Sequence, residues 1–173
     1  MPAKSRSLQR LMQADEAAYL AGFFDGEGTI GIREHNKPGT VGGHDRRTPH
    51  YRLVVSITNR DIAVLQWIAD IVGGTVHPKS RGSDRWAPAW EWSLSNRAGV
   101  ELMLTAIRPH LKVKARHVDV GLAFLRLGLS RVTFTARGKT WPRRIQHPDD
   151  VQARKTLKTE LNRLNGKGLA YAV

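Results

Sequence analysis

The hydrophobic pattern changes its period within residues 17–32, AAYLAGFFDGEGTIGI. Apolar residues first recur with helical spacing, whereas after Gly28 every second residue is apolar, as in a half-buried strand. Asp15 and Glu16 suit the first turn of a helix, where the backbone dipole favours negative charge. We therefore predict a helix from about Asp15 to Asp25 that runs almost directly into a strand.

Similar patterns along the rest of the chain predict two hairpins, four further helices and one loop-like segment. YRLVVSIT alternates and completes the first hairpin, and residues 75–94 form the second, in which Pro78 indicates an edge strand. Thr58 or Asn59 is the expected cap of the next helix, which Gly73 and Gly74 end. The remaining predictions are helices over 97–107, 114–127 and 148–164, and a basic, loop-like segment over 128–146.

The order of these elements predicts an α+β fold. Consecutive hairpins separated by helices favour an antiparallel sheet with helices on one face. The other face is expected to be polar and basic, and it carries Arg33, His35, Lys37, Arg52, Ser56, His77 and Lys79. Such a face can simply be solvated, but it fits a groove of DNA better, because polar side chains on strands or helices read base edges.

Charge and composition narrow the class of partner. Lys and Arg number 28 against 15 for Asp and Glu, which gives a net charge of +13. Such an excess indicates a polyanionic partner, most often nucleic acid and less often an anionic membrane surface. The chain has no cysteine and no long apolar run, which excludes disulfides, zinc–thiolate sites and membrane spans. Without a signal-peptide pattern, the expected location is the cytoplasm or nucleoid of a bacterial or phage-infected cell, or an organelle in a eukaryote.

The length favours one core domain with two basic extensions. Residues 1–14 form a basic N-terminal arm, residues 15–127 the core domain, and residues 128–173 a basic loop followed by a C-terminal helix.

A helical wheel divides the first helix into a large and a small face. Tyr19, Leu20, Phe23 and Phe24 are expected in the core. The small face consists of Ala18, Ala21, Gly22, Asp25 and Gly26. The spacing of the two glycines lets helix backbones approach closely, so the same helix of a second subunit is the favoured partner. A bulky neighbour within the chain is the alternative.

Two acids end this helix, although the helix dipole opposes them by about 0.3–1 kcal/mol each. Asp25 and Glu27 beside a two-fold axis would repel each other further, which invites a cation. Carboxylates together with the Gly26 carbonyl are hard oxygen ligands that suit Mg²⁺. Carboxylate-bound metal ions next to a phosphate commonly support phosphodiester cleavage.

YLAGFFDGEGTI resembles the LAGLIDADG motif of homing endonucleases. PHLKVKARH at 109–117 is similar to the Pro-x-Leu-x-x-Lys segment of the same family, and the resemblance covers about residues 15–125. It implies an αββαββα topology with a saddle-shaped sheet over the DNA major groove. A single motif implies a homodimer on a long, near-palindromic target. Such enzymes cut both strands with a divalent metal, leave short 3′ overhangs, and take part in intron or intein mobility.

The resemblance also implies roles for individual residues. Glu27 would bind the metal together with the Gly26 carbonyl, Lys114 would lie near the scissile phosphate, and Asn59 would help to order water. Asp25 would belong to the interface and cap the partner helix. Mg²⁺ is the implied ion, and Mn²⁺ or Ca²⁺ can occupy such a site. The expected DNA contacts are the sheet-face residues named above together with Arg46, Arg47, Thr58, Arg81, Lys112, Arg116 and Lys139.

Two other functions stay open at this point. A non-catalytic DNA-binding regulator could share the fold, but the chain keeps the residues at 27 and 114. A maturase-like RNA-splicing cofactor is less favoured because the chain is short, so RNA is a less favoured partner than double-stranded DNA. His117 stands where the family often has Gln, which leaves the water network open.

Overall fold

The computed structural model describes residues 12–35, 50–79, 88–136, 139–146 and 149–166, without the side chains of 35 and 129–148. Five α-helices lie in these residues: α1 (Ala14–Glu27), α2 (Ile62–Val72), α3 (Arg97–Ile107), α4 (Ala115–Arg126) and α5 (Asp150–Leu164). A short 3₁₀ turn, Arg108–His110, leads from α3 towards α4. None of the described helices is long and apolar enough to span a membrane.

Six strands complete the described fold: β1 (Gly28–His35), β2 (His50–Asn59), β3 (Thr75–Pro78), β4 (Trp90–Leu94), β5 (Leu129–Ala136) and β6 (Lys139–Gln146). The first four form one antiparallel sheet in the order β1-β2-β4-β3, so the strand containing Pro78 is an edge strand, as expected. The predicted α+β class and antiparallel sheet are confirmed. The predicted N-terminal arm lies almost wholly outside the described residues.

The sequence predicts a loop over 128–146, but this prediction is wrong. β5 and β6 pair in an antiparallel hairpin. Val132, Phe134 and Ala136 do alternate, but interspersed arginines and Pro142 weaken the two-residue period on which strand prediction relies. The basic composition therefore concealed a strand pair.

The core lies between the four-stranded sheet and the helices on one of its faces. Ile30, Val55 and Trp92 come from three neighbouring strands and are completely or almost completely buried. Leu20 and Phe24 of α1 cover this face together with buried residues of α2, α3 and α4. Burying apolar side chains of this size stabilises the fold by about 1.5–3 kcal/mol each.

Helix α5 packs against the same core. Leu161 is fully buried, and the Asn165 side-chain amide donates a 2.8 Å hydrogen bond to the carbonyl of Ile30. Lys158 and Glu34 form a half-buried ion pair of 2.6 Å between α5 and β1. The helix is thus an integral layer on the sheet.

The cap of α2 is Asp61, rather than Thr58 or Asn59 as predicted. Asp61 accepts a 2.8 Å hydrogen bond from the N–H of Ala63. Thr58 and Asn59 still belong to β2, where they pair with β4. The Asn59 side-chain oxygen accepts the N–H of Asp61 and so supports the turn before the helix.

A left-handed glycine and a tryptophan connect α2 to the second hairpin. Gly74 has φ +99°, a conformation that L side chains rarely adopt. A Cβ atom there would lie 2.6 Å from the Trp92 indole nitrogen and 2.7 Å from the Ser93 carbonyl oxygen. The same indole donates a 2.9 Å hydrogen bond to the carbonyl of Gly73.

We expect Gly74→Ala to lower the free energy of unfolding by about 1–3 kcal/mol, because it combines backbone strain with a steric overlap. Urea denaturation followed by circular dichroism measures this difference. Gly31→Ala is the matched control, since its Cβ would meet nothing within 4 Å. Equal stability of the two variants would contradict the role given to Gly74.

Candidate functional site

The C-terminal end of α1 meets the N-terminal end of α4, and Asp25 joins them. Its carboxylate accepts hydrogen bonds from the backbone N–H groups of Lys112 (2.7 Å), Val113 (3.2 Å) and Lys114 (2.8 Å). Such N–H groups before a helix have no partner within the helix itself. The expectation that Asp25 caps a partner's helix is therefore corrected, because it caps α4 of its own chain.

The Lys114 side chain makes a complementary contact with the C-terminal end of α1. Its ammonium group donates to the backbone carbonyls of Phe24 (3.0 Å), Asp25 (2.7 Å) and Gly26 (3.4 Å). These carbonyls carry the negative end of the α1 dipole, so a cation is stabilising there. We call this exchange, in which Asp25 caps α4 and Lys114 caps α1, the reciprocal cap.

The reciprocal cap changes the acidity of both side chains. Burial raises the pKa of Asp25, but the three backbone hydrogen bonds and the charge of Lys114 lower it, so the pKa lies below its ordinary value of 3.8. Burial lowers the pKa of Lys114 below its ordinary value of 10.5, although Asp25 and Glu27 act in the opposite direction. The α1 end thus holds one stabilised carboxylate and one desolvated ammonium.

Glu27 is the second acid at this helix end, and it is exposed. It lines an open cleft of about 390 Å³ together with Thr58, Asn59, Arg60 and Ala89. The fold therefore brings Glu27 and Asn59, two predicted catalytic residues, to one cleft. Lys114, the third, contacts the residue before Glu27, because its ammonium group donates to the Gly26 carbonyl of the predicted metal site.

Oxygen atoms at this end of α1 are suitable ligands for a divalent metal. Asp25 is used by α4, which leaves the Glu27 carboxylate and the Gly26 carbonyl as hard oxygen donors. Among the described residues, no group of three or more His, Cys, Asp or Glu side chains could hold a metal. Mg²⁺ commonly uses one or two carboxylates together with waters and substrate phosphates, so these residues fit it.

The outer surface of α1 differs from the predicted wheel. Ala21 is fully buried in the chain's own core and is unavailable to a partner helix, whereas Tyr19 is 56% exposed instead of buried. The buried residues of α1 are at positions 17, 20, 21 and 24. The helix is therefore rotated about its axis relative to the orientation predicted from the helical wheel. Tyr19 packs edge-on against Trp67, with ring centroids 5.3 Å apart.

Ala18, Gly22 and Gly26 are exposed on α1, as the predicted interface requires. A Cβ atom built on either glycine would meet nothing within 4 Å. Val113 is 71% exposed beside the reciprocal cap. The glycines therefore do not accommodate any bulky described side chain of the same chain, which was the alternative explanation.

The face of the four-stranded sheet opposite the helices is polar. Arg33 and Arg52 are exposed and directly opposite each other on β1 and β2. Like charges at such positions are destabilising, so this pair favours a polyanion over the face. The other expected residues of this face are exposed or half-buried: Ser56, Thr58, His77 and Lys79.

An acid that was not predicted from the sequence also lies on this face. Glu91 lies opposite His77 and Thr58 in the register, and its carboxylate is 3.3 Å from the Lys79 ammonium. Lys79 also donates a 2.8 Å hydrogen bond to the Thr58 hydroxyl. The alternation of Glu91 with Trp90 and Trp92 could have revealed this position, because neighbours in a strand face opposite sides.

The remaining predicted DNA contacts fall into two groups. Lys112 and Arg116 belong to the segment around the start of α4, and Arg116 pairs with Glu160 of α5 at 3.0 Å. Lys37, Arg46, Arg47 and Arg81 lie outside the described residues, as do the side chains of His35 and Lys139. His117 has a buried Nδ1 without a hydrogen-bond partner among the described atoms.

We expect Asp25→Asn to lower the free energy of unfolding at neutral pH by about 0.5–2 kcal/mol, because the amide is a weaker helix cap than the carboxylate. The folded pKa of Asp25 is depressed, so its contribution is present above pH 3.8 and is lost as the pH falls through the folded pKa. Urea denaturation between pH 7 and pH 3 measures this difference.

The control for this prediction is Asp70→Asn, which removes an exposed carboxylate near the end of α2. Its effect should stay within about 0.5 kcal/mol. An Asp25→Asn difference that persists unchanged at the acid end would disprove the electrostatic role of the cap.

Comparison with known proteins places the chain in a family. The family model for LAGLIDADG endonucleases matches residues 20–113, more than half of the chain. No curated protein matches the sequence significantly.

Solved structures share the fold at low sequence identity. The archaeal intron-encoded homing endonuclease I-Vdi141I complexed with DNA is 17% identical, with a TM-score of 0.63 over 92% of this chain and 89% of its own. The homing endonuclease I-TnaI is 18% identical, with a TM-score of 0.60 over 90% and 95%. I-CvuI in complex with a DNA target is 17% identical, with a TM-score of 0.62 over 86% and 81%. With its motif helix, its four-stranded sheet and the matching family model, the chain belongs to the LAGLIDADG endonuclease family.

Proposed function

We propose that this protein is a site-specific, metal-dependent endonuclease that cuts double-stranded DNA as a homodimer. The observation that carries the proposal is the position of Glu27. It is an exposed carboxylate at the end of the motif helix, in a cleft with Asn59 and beside the reciprocal cap. The cleft adjoins β2, whose exposed side chains belong to the basic sheet face.

The DNA duplex would lie across the polar face of the four-stranded sheet. Arg33, Arg52 and His77 are exposed there and can contact phosphates or base edges. I-Vdi141I and I-CvuI, which share this fold, are known in complex with DNA. The net charge of +13 supports association with a polyanion by long-range attraction.

Glu27 and the Gly26 carbonyl would hold a divalent cation, most simply Mg²⁺. Structures of I-CvuI with DNA have been determined in the presence of Mg and of Ca. A divalent cation bound at this position would polarise the scissile phosphate and acidify the attacking water. Glu27 is not hydrogen-bonded in the reciprocal cap, so its carboxylate can serve this purpose while Asp25 keeps the two helices joined.

Lys114 would stabilise the negative charge that develops on the scissile phosphate. The three α1 carbonyls restrict the position of its ammonium group beside the Glu27 cleft. A preorganised charge of this kind requires no rearrangement during the reaction, which is why such groups lower activation barriers effectively. Asn59, which lines the same cleft as Glu27, would orient water there.

Cutting both strands requires two active sites, whereas the described chain has one motif helix. A second copy whose α1 packs on Ala18, Gly22 and Gly26 would place two Glu27 carboxylates near a two-fold axis. The small residues permit close helix packing, and the exposed Tyr19 adds apolar area beside them. The resulting symmetry would require a near-palindromic target, and cleavage across the minor groove would leave short 3′ overhangs.

We expect Glu27→Gln to reduce cleavage by at least about 100-fold, because the amide is a poor ligand for a hard cation. Affinity for the target should remain, since the sheet face is unchanged. Cleavage of a selected near-palindromic target, with Mg²⁺ and with EDTA, and DNA binding by fluorescence anisotropy measure the two effects.

Glu101→Gln on α3 is the matched control and should cleave normally, because Glu101 is exposed outside the cleft. Cleavage by Glu27→Gln at the parental rate would refute the assignment. Equal cleavage in EDTA would refute the metal dependence.

Gly22→Leu separates dimer formation from folding. The added side chain meets open space in the single chain, so circular dichroism should still show a folded protein, but the side chain would block a second helix from approaching. We expect sedimentation velocity to show a dimer for the parental protein and a monomer for the variant. Gly128→Leu, also in open space, should remain dimeric. A dimeric Gly22→Leu variant would exclude α1 as the interface.

A further inference from the structure

A small cavity lies at the far end of β2 from the Glu27 cleft. Its volume is about 150 Å³, and its walls come from β2, from the turn between β4 and α3, from α4 and from α5. The lining includes three arginines: Arg52, Arg97 and Arg154. No described carboxylate lines it, so the cavity has a strongly positive wall.

Arg154 is the unusual member of this set, because it is a fully buried cation. One of its terminal nitrogens donates to the carbonyls of Leu127 and Gly128, at 2.7 Å each. Its guanidinium carbon lies 5.1 Å from the centre of the Phe124 ring. Its Nε is buried and has no hydrogen-bond partner among the described atoms. An unsatisfied buried donor is costly, and a charge-assisted hydrogen bond to an anion would satisfy it.

Nearby charge does not neutralise this guanidinium well. The described carboxylate closest to it belongs to Asp150, at 3.9 Å, which is at the outer limit of an ion pair. Burial lowers the pKa of Arg154, Asp150 raises it, and Arg97 lowers it again by repulsion; the net shift is downward. Two cations close enough to repel each other line the cavity, and none of its described lining residues is a carboxylate.

The backbone adds further positive character. Arg97 is the first residue of α3, whose N-terminus carries free N–H groups and the positive end of the helix dipole. Asn96 caps one of these groups by accepting the N–H of Ala98 at 3.1 Å. Ser95 also lines the cavity, and a serine hydroxyl can donate to an oxygen ligand.

We propose that this cavity binds one phosphate group, held between Arg154 and Arg97. Its volume suits a single tetrahedral oxyanion and is smaller than the usual pocket for a drug-sized ligand, about 300–1,000 Å³. The phosphate can be a free anion or belong to a DNA backbone, since both present the same oxygens. The site is separate from the Glu27 cleft and does not depend on nuclease activity.

A bound phosphate would join elements that are distant in sequence. It would bridge the start of α3 and the first turns of α5, next to the carbonyls that end α4. Arg97 and Arg154 repel each other without an anion, and both would be attracted to the bound phosphate. Phosphate binding should therefore stabilise the packing of α5 on the core.

Thermal unfolding with inorganic phosphate as the probe tests this site. At about ten times the dissociation constant, phosphate should raise the midpoint of the parental protein by about 3–5 °C relative to chloride at equal ionic strength. Arg97→Gln should lose this shift while folding normally in chloride, because it relieves the repulsion. Arg126→Gln, an exposed arginine that does not line the cavity, has the same charge change and should keep the shift.

Two results would overturn the proposal. One is no phosphate-specific shift in the parental protein. The other is an equal shift in Arg97→Gln, since that is the general stabilisation by excluded anions. Because Glu27 is intact in every variant, failure here is independent of the nuclease proposal.

A second measurement identifies the source of the phosphate. Anisotropy with a short non-target duplex is compared in phosphate and in chloride at equal ionic strength. If a DNA phosphate occupies the cavity, inorganic phosphate weakens duplex binding in the parental protein and not in Arg97→Gln. If the ligand is a free anion, phosphate changes duplex binding equally in both proteins.

Discussion

The reciprocal cap between α1 and α4 is the interaction on which the site depends. Asp25 satisfies backbone donors before α4, and Lys114 satisfies carbonyls at the end of α1. Each charge opposes the dipole of its own helix end and is stabilised by the end of the other helix. The pair joins the C-terminal end of α1 to the segment before α4, and Glu27 lies two residues beyond Asp25.

The cap also explains why the two acids have different roles. Asp25 is fully engaged by backbone N–H groups, so it contributes to the fold and has little capacity left for a metal. Glu27 follows Asp25 in the chain, takes no part in the reciprocal cap, and is exposed in the cleft. A metal at Gly26 would share that carbonyl with the Lys114 ammonium, so the proposed catalytic lysine and the metal would be close enough to influence each other electrostatically.

Cationic side chains perform three different tasks in this small protein. Those on the open sheet face, such as Arg33 and Arg52, remain exposed and repel one another, which favours a polyanionic partner. Lys114 and Lys158 are partly buried and hold helices in place. Arg154 is fully buried, and the described carboxylate nearest to it, that of Asp150, is 3.9 Å away. Net charge alone therefore does not identify the cations that would contact DNA. The burial of each side chain and its hydrogen-bond or ion-pair partners decide whether it can reach DNA.

The sequence by itself determined the α+β class, the order of the core elements, the limits of α3 and the motif that identifies the family. These are local properties, since hydrophobic periodicity, the Gly–Gly helix stop and the DGEG sequence at the junction of α1 and β1 involve only neighbouring residues. Only the tertiary structure decided the rotation of α1, which buries Ala21 and exposes Tyr19, because that rotation follows from packing on the sheet. It also decided that Asp25 caps α4 of the same chain, a contact between residues almost ninety positions apart. The charge environment of Arg154 likewise comes from elements that meet only in the folded molecule.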